Sequence, residues 1–168
     1  MRRTVVERHR ADFAAFYAGA KDDCLRAVLA TVGSRPAAED LVAEAFARAW
    51  ARWPTVARHP SPRAWVVRVA LNLHVSWWRR LRREVPATEW ADAPAPADPD
   101  DGLPDPRLMA ALRSLPPRQR QVVALRVFLD LDSATTARTL GISPGTVTAH
   151  LARATRTLRL HLERTDAQ

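Results

Sequence analysis

Five polar residues in one arginine-rich stretch, Arg68, Asn72, Ser76, Arg79 and Arg83, follow one another at intervals of 4, 4, 3 and 4. At 100° per residue such a series forms a single ridge along a helix. Guanidinium groups on that ridge suit phosphates. The amide of Asn72 carries both donor and acceptor, so it can read a base edge, an unpaired one above all. Arg79, Arg80, Arg82 and Arg83 are too dense for a core. They fit a phosphate track and, equally, a solvated face. On duplex DNA each phosphate they neutralise would add about 0.9 to the salt slope.

A second constellation is TTARTLGISPGTVTAHLARATRTL, residues 135–158. Gly141 permits a tight turn, Ser143 can cap the following helix, and Pro144 suits its first position, where a missing N–H costs nothing. This is the pattern of a helix-turn-helix. On its second helix Val147, Leu151, Ala154 and Leu158 share an inward side. Gly145, Thr148, Ala149, Ala152, Arg153 and Arg156 then face out. In a major groove Arg153 can fork onto a guanine edge or a phosphate, and Thr148 and Ala149 can touch a thymine methyl. His150 sits at the margin, against phosphate or against nothing.

Catalytic groupings are sparse. The five histidines, His9, His59, His74, His150 and His161, show no metal-ligand spacing with one another or with the single cysteine, Cys24, and no glycine-rich phosphate loop is present. Neither a metal nor a cofactor is expected. Glu39, Asp40 and Glu44 lie near a helix start, where carboxylates complement the macrodipole. Asp40 and Glu44 share a face and form a candidate docking patch for a basic element of another protein. A nucleic-acid-processing enzyme using the pair is the remaining reading.

Helices must position these groups. The spacing Ala38, Leu41, Val42, Ala45, Phe46, Ala49, Trp50, Trp53 is a helical stripe starting after Ser34–Pro36 and stopping at Pro54. Upstream, Phe13, Phe16 and Tyr17 lie on one side of an opening helix, Leu25, Val28, Leu29 and Val32 follow, and Gly33–Pro36 breaks the pattern, so two helices and a turn are expected. A long helix is expected from about Arg63 to Arg83, apolar on two sides through Trp65, Val66, Val69, Leu73 and Trp77 and through Val67, Leu71 and Trp78. Such a helix packs on two sides or offers one to a partner. Trp77 and Trp78 fit a core better than a stacking platform. Four further helices are expected near 106–115, 118–129, 133–140 and 144–162. No strand pattern or repeat is found.

The chain has 168 residues and a net charge of +8 from 26 basic and 18 acidic groups. That charge favours a polyanionic partner. It is distributed as +9 over residues 1–83, −7 over 84–106 and +6 over 107–168. The middle block, with six prolines and no arginine, is expected to be an acidic linker, a solvated spacer or a segment lying in a partner's basic channel. The fold class is therefore all-α: an N-terminal helical bundle (1–83) and a C-terminal helix-turn-helix domain (107–168) joined by that linker. No apolar run is long enough to span a membrane, no leader pattern opens the chain, and one cysteine forms no internal disulfide. A reduced, cytoplasmic protein is expected.

In order, AEDLVAEAFARAW, SPRAWVVRVALNLHVSWWRR, LRSLPPRQRQVVALRVFLDL and LGISPGTVTAHLARA resemble the regions of bacterial sigma factors of the extracytoplasmic-function group. The resemblance covers about 13–83 and 108–160, and SWWRR with the high arginine content is similar to a short actinobacterial subfamily. It implies a specificity subunit of RNA polymerase with no catalytic residues. The helix bearing Asp40, Glu44 and Arg48 would bind the β′ clamp helices. The long helix would recognise and open the −10 element, Asn72 matching an asparagine beside a flipped non-template base, with Arg68, Ser76, Arg79, Arg80, Arg82 and Arg83 along the strand. Helix 144–162 would read the −35 element through Thr148, Ala149, His150, Ala152, Arg153 and Arg156. Implied partners are core polymerase, through clamp helices and β flap, promoter DNA, and an anti-sigma factor. Ala43 stands where many members have glutamine, Thr148-Ala149-His150 replaces a more usual basic-Ser-Arg run, and DLDSATTARTL departs from the usual aromatic and acidic start. LPPRQRQVV and GISPGTVTAHL also resemble the DNA-binding domain of response regulators, which bind duplex operators without polymerase.

Overall fold

The computed structural model describes residues 2–84 and 105–166. The acidic segment 85–104 lies outside the described residues, as do the side chains of Trp78, Arg79, Arg82 and Arg83.

Among the described residues the fold is helices and turns. Helix α1 (Arg2–Val32) runs unbroken until Gly33, whose φ of +77° ends it with Gly33 N–H donating to the Leu29 carbonyl at 2.8 Å. Helix α2 (Arg35–Ala51) begins with Pro36 in its first turn and buries Ala38, Val42, Ala45, Phe46 and Ala49, the inner part of the expected stripe. Its outer member Trp50 is half-exposed. Pro54 does not simply stop this stripe. It sits in the first turn of a further short helix, α3 (Trp53–Val56), where its missing N–H has no intrahelical partner to lose.

Helix α4 (Pro62–Glu84) is seated by Ser61, whose Oγ accepts from the Ala64 N–H at 3.3 Å. Ala64, Val66, Val67, Ala70 and Leu71 are buried, so its first half packs on two sides as its pattern requires. Trp77, favoured above for the core, is instead 53% exposed, with exposed Val75 near it in sequence. An aromatic cluster ties α1 to α2 and α3: Phe13 lies 5.1 Å from Trp50 and 5.2 Å from Trp53, and Tyr17 4.9 Å from Phe46.

The C-terminal block consists of α5 (Pro106–Ser114), α6 (Pro117–Val123), a π turn (Ala124–Phe128), α7 (Ser133–Leu140) and α8 (Pro144–Asp166). Three of these helices carry a side-chain cap, of which Ser143 is the one expected from sequence. Asp105 accepts from Arg107 N–H at 2.9 Å, Asp132 from Thr135 N–H at 2.7 Å, and Ser143 from Thr146 N–H at 3.1 Å. The bonds from the Thr135 backbone and hydroxyl hold the Asp132 carboxyl below its ordinary range. Gly141 takes φ +67° at the turn between α7 and α8.

Val122, Ala137 and Val147, with Leu140, Ile142 and Leu151 against them, form a small nucleus inside the helix-turn-helix. The larger core is continuous across both blocks. Val28, Phe46 and Leu71 belong to the same cluster as Leu112, Leu115, Leu125 and Ala154. The C-terminal half of α1, buried at every residue from Ala27 to Thr31, is the shared wall against which α4, α5, α6 and the π turn pack. Each fully buried leucine there contributes about 1.5–3 kcal/mol relative to exposure.

Candidate nucleic-acid interface

Arg68, Asn72, Ser76 and Arg80 are exposed on α4, whose inner faces are consumed by the core. The ridge does not face open solvent along its whole length. Arg68 shares a crevice with His59, Pro60 and Trp65 of its own block and with Thr135, Arg138 and Thr139 of α7. A neighbouring crevice places Asn72 and Arg68 with Arg118 and Gln121 of α6 and with Thr139 and Leu140. Arg118 and Arg138 were not singled out from sequence. Their spacing from Arg68 along the chain carries no periodic signal, and only the tertiary packing that sets α6 and α7 beside α4 brings them near.

The second surface is α8. Val147 and Ala154 are fully buried and Leu151 and Leu158 partly so, which turns Thr148, Ala152, Arg153 and Arg156 outward. Ala149 is half-buried. The Thr148 hydroxyl donates back to the Pro144 carbonyl at 3.2 Å, leaving its methyl and lone pairs to face outward. His150 is half-buried with Nδ1 enclosed and without a hydrogen-bond partner, so the ring leans into the protein more than its marginal position implied.

On α2, Asp40, Glu44 and Arg48 are all exposed. Glu44 pairs with Arg48 at 2.8 Å and Glu39 with Arg35 at 2.9 Å, both across one helical turn. Exposed pairs of this kind contribute roughly 0–1 kcal/mol, so a partner can rearrange them cheaply. Among the described residues no three His, Cys, Asp or Glu side chains converge as metal ligands, and no helix is long and apolar enough to cross a membrane.

The chain matches the Sigma-70 region 2 family model over residues 17–84 and the Sigma-70, region 4 model over residues 106–158. The RNA polymerase sigma-E factor of Streptomyces antibioticus is 38% identical over 130 residues, covering 77% of this chain and 72% of its own. The ECF RNA polymerase sigma factor SigL of Mycobacterium tuberculosis is 34% identical over 144 residues, covering 82% of this chain and 81% of that protein. The chain belongs to the ECF sigma factors of the sigma-70 family.

Two solved structures share the fold. The sigma factor RpoE in complex with the anti-sigma factor NepR from Bartonella quintana has a TM-score of 0.78 at 22% identity, covering 90% of this chain and 97% of that one. CnrH in complex with the cytosolic domain of CnrY has a TM-score of 0.65 at 20% identity, covering 92% and 90%. As an ECF sigma factor the protein acts in DNA-dependent transcription initiation. The response-regulator alternative, which rests on the helix-turn-helix alone, is not favoured, because the family match extends through α1, α2 and α4.

Proposed function

We propose that this sigma factor binds core RNA polymerase in the cytoplasm and places it at promoters by reading two elements with two helices. The observation that carries the assignment of roles is the pair of polar faces left by the core: the Arg68–Asn72–Ser76–Arg80 ridge on α4 and the Thr148–Ala152–Arg153–Arg156 face on α8. The α4 ridge takes the −10 element and its opened strand, and Arg79, Arg82 and Arg83 continue it along the backbone. The α8 face takes the −35 element in the major groove, with Ala149 and His150 at its edge. Residues 1–83 thus form the melting and polymerase-binding unit, 107–168 the −35 unit, and 84–106 the acidic connection between them.

Asp40, Glu44 and Arg48 dock α2 on the β′ clamp helices, while the C-terminal unit approaches the β flap. An anti-sigma factor is a fitting further partner, since the sigma factor RpoE, which shares the fold, is solved in complex with the anti-sigma factor NepR. The chain brings no catalytic groups of its own. Melting draws on polymerase binding energy, because stacking is broken at about 1.4 kcal/mol per step.

Transcription of a genomic promoter library by core polymerase, with and without the protein, tests this. New start sites preceded by two spaced elements are expected. Their absence, together with tight binding of a palindromic duplex without polymerase, would overturn the assignment. Asp40→Arg is expected to weaken association with core polymerase at least several-fold in a pull-down titration, and unchanged affinity would remove α2 from the docking surface.

A further inference from the structure

The two crevices along α4 meet at Arg68 and Thr139, which line both. They hold about 90 Å³ on the Trp65 side and about 230 Å³ on the Asn72 side. Their chemistry is one-sided. Arg68 and Arg138 face the first, Arg68 and Arg118 face the second, and no carboxylate lines either. Among the described residues none of these three guanidinium groups makes an ion pair, whereas Arg26, Arg35, Arg48 and Arg63 each hold an aspartate or glutamate. Asp132, at the start of α7, is turned to the N–H and hydroxyl of Thr135 at 2.7 and 3.0 Å. The neutral groups are also set to donate. Arg118 Nη1 donates to Gln121 Oε1 at 3.2 Å, so the carbonyl of that amide is engaged and its NH2 is left over. Asn72 brings a second amide, and Arg138 Nη2 is steadied on Thr135 Oγ1 at 3.1 Å.

Three cations on a shared gap repel one another. An anion seated between them gains all three attractions and removes that repulsion at the same time. Guanidinium forks match the paired oxygens of phosphoryl groups, and bidentate charge-assisted bonds are the strong ones. A single phosphate occupies one crevice only. Two or three linked phosphoryl groups extend from Arg138 past Arg68 toward Arg118, and so use every cation. A strand with its sugars and bases does not enter a gap of this size while α6 and α7 line it. Size therefore selects a small anion and charge selects a multiply ionised one.

We infer that the gap between α4, α6 and α7 is a binding site for a short oligophosphate, either an inorganic chain or the phosphate tail of a nucleotide, held by Arg68, Arg118 and Arg138. The unfolded chain does not gather these arginines, so the ligand stabilises the folded form in proportion to its occupancy. Simple salt only screens the same charges and does not saturate. Occupancy also withdraws Arg68 and Asn72 from a strand on α4, a consequence that rests on the assignment of that ridge to nucleic acid.

The test titrates the full chain with inorganic tripolyphosphate in a calorimeter, at constant ionic strength set with sodium chloride. Saturable one-to-one binding is expected, at least tenfold tighter than that of orthophosphate, with a melting temperature that rises with ligand concentration. Arg118→Gln and Arg138→Gln, both exposed changes, are each expected to weaken tripolyphosphate on the order of tenfold. Arg52→Gln with Arg159→Gln, which removes two exposed arginines elsewhere, is expected to leave the affinity within twofold. Binding with no saturation, or an equal loss in that control, shows attraction to the cationic surface as a whole and overturns the site. So does full affinity in both crevice variants. ADP beside pyrophosphate distinguishes the sources: tighter binding of ADP assigns the site to a nucleotide, and equal or weaker binding assigns it to the inorganic chain. Tripolyphosphate is also expected to displace a fluorescein-labelled mixed-sequence single strand. Tight anion binding without displacement removes the strand assignment of α4 and leaves the oligophosphate site standing.

Discussion

Asn72 shows how much of this site a single position discloses. Its amide, set one turn after Arg68 on the polar ridge between two apolar stripes, marks it for base reading before any fold is known. The structure leaves it exposed but beside Arg118 and Gln121. Asn72→Ala is expected to keep core-polymerase binding while open-complex formation, read by permanganate reactivity of unpaired thymines, falls at least tenfold. Full melting activity would exclude the role. Cys24 is the contrasting case, a reactive residue type made inert by its place. Burial pushes its thiol up to about 12, the nearby Arg63 charge offsetting only part of this, and Sγ lies 3.9 Å from the Arg63 carbonyl. Iodoacetamide at pH 8 is therefore expected to leave the native protein unmodified and to alkylate it fully in guanidinium. Rapid labelling of the native protein would contradict the packing around α1.

Helix ends were the most legible elements, because a cap is a local event. Gly141, Ser143 and Pro144 announce the turn and start of α8, and the Ser143 Oγ takes the Thr146 N–H at 3.1 Å. Ser143→Ala is expected to cost about 1 kcal/mol, a fall of a few degrees in melting temperature, without altering the helix content seen by circular dichroism. An unchanged melting temperature would show that the cap contributes nothing. Elements that depend on register were not legible. The π turn, with Leu129 N–H donating to the Ala124 carbonyl at 3.2 Å, shifts the inward face so that Val122–Leu125 and Leu129 are all buried while Val127 is exposed. No residue type in ALRVF marks an i→i+5 bond, since the same run fits an α-helix equally well. Trp50 and Trp77 belong to apolar stripes yet stay half-exposed, because an aromatic at the edge of a stripe meets whatever the neighbouring helix leaves uncovered.

At the scale of the molecule, the acid response follows from the packing of α6 near α4. Burial first, and the positive charge of Arg120 second, lower the His74 pKa below the ordinary 6.5. The folded protein therefore holds His74 neutral where the unfolded chain would protonate it. Its contribution is complete above pH 6.5 and is lost as the pH falls below that value toward the lowered folded pKa. Urea midpoints are expected to drop between pH 7.5 and 5.5, and to drop less in His74→Gln. Equal slopes in the two proteins would show that His74 does not sit at a charged interface.

The sequence by itself determined the longer helices, the Ser143 cap, the two chemically distinct polar faces and the family to which the chain belongs. Each of these depends on spacings of a few residues or on local composition, and hydrophobic periodicity encodes which side of a helix turns inward. Only the tertiary structure decided what each inward side meets. That Ala27–Thr31 forms a wall common to both blocks, that Arg120 reaches the end of α1 across 89 positions, and that α7 stands over Arg68 and Asn72 are consequences of long-range packing. Apolar burial is non-directional, so a stripe specifies that it must be covered and leaves open by what.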